Sequence, residues 1–397
     1  MINQKMLGLG TKRSAIRELF EYGKARKAEI GAENVFDFSI GNPSVPAPEA
    51  LTEALKDLIT HTDPVALHGY TSAQGDAAVR AAVAEAEASR SGCDVDPNLI
   101  YMTCGAAASL TVSLHAIVNP GDEVIVLAPF FPEYRVFAEK AGAVLKEVPC
   151  IPGSFQIDFD ALSAAITSRT KAMIINSPNN PTGAVIPACD LEKLGKLLSE
   201  REGDSDSEIF LICDEPYRAL TYDGVQVPYA PAFYHRTLVC YSYSKALSLP
   251  GERIGYILVP PTMPGAAEVY AAVCGAGRAL GFVCAPSLMQ YAIARCGEMT
   301  ADLTVYETNR KLLSEALSEM GYSITNPDGA FYLFVKSLEE DAAAFCEKAK
   351  EFELLLVPSD SFGVKGYIRI SYCVSTEQIQ KSLPAFQALY DSYAVKD

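Results

Sequence analysis

From about residue 99 to residue 260 the chain alternates short β-rich runs with helix-like stretches, and no other feature limits its fold so strongly. NLIYMT is followed by GAAASLTVSLHAIV, and EVIVLAP by FPEYRVFAEKAG. KAMIINSP, EIFLICDEP, TLVCYSYS and IGYILVPP continue the series. Apolar strands separated by amphipathic helices predict a largely parallel sheet with helices on both faces. GD, PG and NP breaks punctuate the series where turns are needed.

After about residue 285 the character changes. An amphipathic stretch from Ser287 to Met320 leads to GYSITNPDGAFYLFVKS, then to helix-like DAAAFCEKAKEF, to ELLLVPSDSFG and YIRISYC, and to a final helix. Strand pairs with helices on one side predict an α+β unit. A chain of 397 residues suits two domains. The expected division is a large α/β domain over 46–285 and a smaller one built from 1–45 and 286–397.

Charge narrows the partners. The formal net charge of −16 repels nucleic acid and anionic membranes, so an anionic ligand must be held by local cations. No apolar run approaches the ~20 residues needed to span a bilayer, and the first residues lack a basic-then-apolar leader pattern. Eleven scattered cysteines without C-x-x-C, and four histidines without H-x-x-x-H, argue against a disulfide framework and against a metal site. A cytoplasmic protein is expected.

In open α/β sheets ligands bind beyond the carboxyl ends of the strands, and the chain's polar residues fall there. NLIYMT ends in Cys104-Gly105-Ala106-Ala107, small residues opening a helix whose free N–H groups suit a phosphate. KAMIINSP runs into NNPTG, EIFLICDEP ends in Asp214 with Tyr217 one turn on, and TLVCYSYS ends in Ser242, Ser244 and Lys245, with Arg253 following. A partly desolvated lysine can attack a carbonyl, and a buried carboxylate can keep a pyridine nitrogen protonated. With a phosphate cradle, these are the demands of pyridoxal 5′-phosphate. Each residue also has a plain structural use: a turn for Asn180, a helix cap for Asp214, close packing for Gly105, Ala106 and Ala107.

NNPTG, DEPYR, SYSKALSLPGERIGY and IRISY, in this order, resemble the class I/II aminotransferases of fold type I, the aspartate aminotransferase group, from about Asp37 to the end. The resemblance implies a mostly parallel seven-stranded sheet in the large domain. By it Lys245 is similar to the Schiff-base lysine that also carries the proton, Asp214 to the partner of the pyridine nitrogen, and Tyr217 and Asn180 to the groups on the ring's phenolic oxygen. Ser242, Arg253 and the Gly105-Ala106-Ala107 turn resemble the phosphate ligands, and Phe131 the aromatic stacked on the ring. Tyr70 in HGYTSAQG resembles the tyrosine that reaches the neighbouring subunit's phosphate, which implies a homodimer with shared sites. Arg369 resembles the grip on the substrate α-carboxylate, and Gly41 and Asn180 also line the substrate side.

The implied activity moves the amino group of an L-amino acid, with aspartate the expected donor, to a 2-oxo acid such as 2-oxoglutarate. Arg278, Arg13 and Arg17 are candidates to read a distal carboxylate. An aromatic or alanine aminotransferase and a C–S β-lyase share the same motifs and stay open. A ligand-sensing regulator would need a DNA-binding domain, for which an acidic chain with about 40 residues before the motifs gives no room.

Overall fold

The computed structural model describes residues 2–11, 15–205, 208–297 and 299–394. Its central sheet has seven strands in the order Ile100–Thr103, Gly255–Leu258, Thr237–Ser242, Phe210–Asp214, Thr170–Asn176, Glu123–Ala128, Val144–Pro149. Gly255–Leu258 runs antiparallel to both neighbours and the remaining pairs are parallel. Six of these strands are the six runs read from the sequence. The seventh, Val144–Pro149, lies at the edge and buries only Val148, so no continuous apolar run announces it.

Apolar clusters on both faces fix the helices. Helix Ala106–Ile117 packs beneath Val124, Val126, Ile212 and Leu238, beside helix Ala266–Leu280. On the opposite face Ile125, Met173, Leu211 and Cys213 meet Leu191, Leu194 and Leu198 of helix Ala188–Ser205. Each such leucine or isoleucine contributes roughly 1.5–3 kcal/mol through burial.

The second unit is an antiparallel sheet in the order Val357–Pro358, Tyr367–Ser371, Tyr332–Lys336, Ile324–Thr325, packed against helices Thr304–Met320 and Thr376–Ala394. The N-terminal segment joins it: Phe36–Asp37 pairs in parallel with Leu354–Leu355, and Leu19 of helix Ala15–Ile30 packs on Val357 and Phe362.

The amphipathic stretch from Ser287 to Met320 forms two helices. Ser287–Ala294 packs Met289, Ala292 and Ile293 among Leu51, Leu58 and Val83, beside the large sheet, whereas Thr304–Met320 covers the small one. We propose that the large unit therefore continues past residue 285, to the turn at Cys296-Gly297.

Candidate active site

Parallel register brings Asn176, Asp214 and Cys240 side by side, so Asp214 and the neighbouring strand end at Ser242 open on one edge of the sheet. There a cleft of about 290 Å³ lies between the two units. Gly41, Ala106, Ala107, Phe131, Asn180, Asp214, Tyr217, Ser242, Lys245, Arg253 and Arg369 all line it. Residues spread over more than half the chain thus converge.

One end of the cleft is built for an anion. Gly105 precedes helix Ala106–Ile117 at φ 84° and offers no side-chain cap, while its carbonyl accepts the N–H groups of Ala108 and Ser109. The N–H groups of Ala106 and Ala107 start the helix where its dipole is positive. Arg253 leans across this turn: a β-carbon on Gly105 would stand 2.9 Å from Nη2 of Arg253. Glycine adopts that φ without strain, and any side chain there would displace the Arg253 guanidinium. Arg253 Nη1 donates to Pro250 O at 3.1 Å, and buried Ser242 completes this end.

At the other end sits Asp214, 5% exposed. Its Oδ2 accepts from the Tyr134 hydroxyl at 2.6 Å. Asn176 Nδ2 donates to the Asp214 carbonyl at 2.8 Å, and Asn176 Oδ1 accepts the Asn180 N–H at 2.7 Å. Oδ1 of Asp214 is buried without a partner. An orphaned carboxylate oxygen is costly, and burial accordingly raises the Asp214 carboxyl to about 7 despite the Tyr134 bond. A cationic ring nitrogen in the cleft would satisfy that oxygen and restore the charge. Phe131 closes this wall, meeting Tyr134 edge to face at 5.7 Å between ring centres.

Lys245 lines the same cleft. Its Nζ donates to Gly41 O at 2.5 Å and faces the Phe331 ring at 5.3 Å. Burial, with Arg369 and Arg253 adding repulsion, lowers the amine from 10.5 to about 8. A neutral nucleophilic amine is therefore accessible near physiological pH.

Arg369, 2% exposed, projects from strand Tyr367–Ser371. Nη1 donates to Asn180 Oδ1 at 3.0 Å and Nη2 to Ser39 O at 2.6 Å, while Nε has no partner. The guanidinium is flanked by the rings of Tyr332 and Phe362. No carboxylate among the described residues pairs with it, so a buried cation faces the cleft with its charge uncompensated, which suits a ligand carboxylate.

Some expected residues stand elsewhere. Tyr70 is 100% exposed and lies outside the cleft of its own chain. Arg278 is exposed on helix Ala266–Leu280 and does not line the cleft. Helix Ala15–Ile30 does reach the site through Ile16, but Arg17 beside it is exposed and not part of the lining, and Arg13 lies outside the described residues. No local pattern marks Tyr332, whose hydroxyl lies 2.9 Å from that of Tyr217, or Tyr134 on Asp214. Both occur in ordinary apolar or helical contexts.

The residues present fit pyridoxal 5′-phosphate: an anion cradle, an unpaired carboxylate oxygen and an amine of lowered basicity share one cleft. Among the described residues no cluster of His, Cys, Asp or Glu could hold a metal, and no helix is long and apolar enough to cross a membrane.

Comparison with known proteins agrees. A solved aminotransferase from Eubacterium rectale superposes with a TM-score of 0.97 at 55% identity, covering 99% of both chains. The aspartate/prephenate aminotransferase of Thermus thermophilus is 32% identical over 87% of this chain and 88% of its own. The aromatic-amino-acid aminotransferase 2 of Thermococcus litoralis is 29% identical over 93% of this chain and 94% of its own. Residues 33–386 match the family model described as aminotransferase class I and II, and the chain is a member of that family of pyridoxal phosphate-dependent aminotransferases.

Proposed function

We propose that the protein exchanges an amino group between an L-amino acid, aspartate first among candidates, and a 2-oxo acid such as 2-oxoglutarate, with each of the residues above in a definite role. The observation that carries this reading is Arg369: a buried guanidinium that no carboxylate among the described residues pairs with, lining the same cleft as Asp214 and Lys245. Pyridoxal phosphate, when bound, supplies the electron-withdrawing ring that acidifies a substrate C–H bond. The protein's part is positioning and proton handling.

Arg369 and Asn180 hold the substrate α-carboxylate, and Gly41 keeps that wall free of side chain. Lys245 would hold the cofactor through its amine and would move a proton to or from the substrate α-carbon as general base and acid. Asp214, held by Tyr134, would set the charge on the ring nitrogen, and Tyr217 and Asn180 would hold the phenolic oxygen. Phe131 would pack on the ring, and the Gly105-Ala106-Ala107 turn with Ser242 and Arg253 would hold the phosphate. Tyr70, wholly exposed, serves the site of a second copy, which makes the working form a homodimer with shared sites. The free state of all eleven cysteines supports a cytoplasmic location.

A second reading concerns the substrate side chain. Among the described residues the cleft's cations are Lys245, Arg253 and Arg369, each with a role already, whereas Ile16 and Ile40 are apolar. That lining favours an aromatic or apolar side chain. Purified protein loaded with cofactor would be given aspartate, phenylalanine, alanine and cystathionine in turn, with and without 2-oxoglutarate. Glutamate formation that depends on 2-oxoglutarate supports transamination and ranks the donors. Pyruvate and ammonia released without an acceptor would overturn it in favour of a β-lyase.

A further inference from the structure

Tyr332 stands where the two units meet, and functional residues surround it. Its hydroxyl is 2.9 Å from the Tyr217 hydroxyl. The Arg369 guanidinium lies 4.6 Å from its ring centre. A β-carbon on Gly41 would collide with its oxygen, so the hydroxyl is pressed against the same backbone whose carbonyl accepts from Lys245. Tyr217 follows a strand of the large sheet and Tyr332 begins a strand of the small one, so their bond crosses from one unit to the other.

We propose that Tyr332 is a positioning residue that links the arginine gripping the substrate carboxylate to the tyrosine on the cofactor's phenolic oxygen. This rests on the placement of cofactor and substrate proposed above. A phenol has one proton to give and lone pairs to receive. When Tyr217 spends its proton on the cofactor, its buried oxygen needs a donor, and Tyr332 is the hydroxyl within reach. A guanidinium over the Tyr332 ring draws on its π electrons and makes its O–H a stronger donor. Substrate carboxylate arriving at Arg369 partly neutralises that cation, and the change passes through two hydroxyls to the ring. A packing role alone would need only the ring, which meets Tyr217 edge to face at 5.7 Å.

Tyr332→Phe keeps the ring and removes the oxygen, and a double-mutant cycle with Tyr217→Phe isolates the link. Alone, Tyr332→Phe is expected to lower kcat/KM for the preferred amino acid roughly threefold to tenfold, and to alter the visible absorption spectrum of the bound cofactor at fixed pH. In the Tyr217→Phe background the same change should alter neither. Losses that multiply in the double variant, or an unchanged spectrum in Tyr332→Phe, would overturn the inference. Failure of the unmodified protein to take up coloured cofactor would overturn the proposed function instead, so the two failures are distinguishable.

Discussion

Arg369 Nη1 donates to Asn180 Oδ1 across 3.0 Å, joining the small sheet to the NNPTG turn of the large one. The bond sets the guanidinium plane, since Ser39 O fixes a second nitrogen. Planarity is what a lysine cannot reproduce. Arg369→Lys is expected to raise KM for amino-acid substrates roughly a hundredfold while leaving cofactor uptake close to normal. Steady-state kinetics beside a cofactor titration checks this; equal damage to both would contradict it.

The lowered basicity of Lys245 gives a pH dependence with a definite sign. The attacking form is the neutral amine, whose fraction grows as pH rises through about 8, against 10.5 for an ordinary lysine. Capture of added pyridoxal phosphate should therefore quicken from neutral pH, reach half its maximum near 8 and level off above. Stopped-flow formation of the visible band follows it. A rate still climbing past pH 10 would mean the amine is unperturbed.

Asp214→Asn keeps the shape and the bond from Tyr134 but cannot carry charge. Turnover is expected to fall about 10²–10³-fold, which corresponds to losing about 3–4 kcal/mol of transition-state stabilisation. Thermal stability should change little, because the amide leaves one buried polar atom unpartnered just as the carboxylate does. A variant within tenfold of the parent rate would remove Asp214 from the chemistry.

Gly105→Ala tests the cradle. The backbone there sits at φ 84° and ψ 174°, a region that costs a side chain about 1–3 kcal/mol, and the new methyl would press on Arg253. Both melting temperature and cofactor affinity should drop, affinity by tenfold or more. Differential scanning calorimetry and equilibrium dialysis read the two separately.

Exposed Tyr70 predicts complementation between copies. Lys245→Ala and Tyr70→Ala are each expected to be nearly inactive, and unfolding and refolding them together should restore a fraction of the parent activity. No recovery from a mixture that light scattering shows to be dimeric would exclude sharing.

What could be read from the sequence depended on how a residue announces itself. Lys245 and Arg253 stood out because cations next to apolar strands need a reason, and Asp214 because it closes a buried run. Tyr332 did not, since FYLFV reads as core and a tyrosine there needs no explanation. Tyr134 reads as one more residue of helix Glu133–Lys140, and nothing local says that its hydroxyl crosses to Asp214. The split between Ser287–Ala294 and Thr304–Met320 was hidden for a related reason: both segments are amphipathic, and periodicity shows that a face is covered without saying by what.

The pairing of Phe36–Asp37 with Leu354–Leu355 bears on the order in which the molecule is made. During synthesis the early strand leaves the ribosome long before its partner, and must wait as an unpaired edge. Every cofactor-side residue from Gly105 to Arg253 has emerged by the time the central sheet is complete, whereas Arg369 arrives near the end. A nascent chain can thus form the turn at Gly105 and place Lys245 before Arg369, whose Nη2 donates to Ser39 O, has emerged.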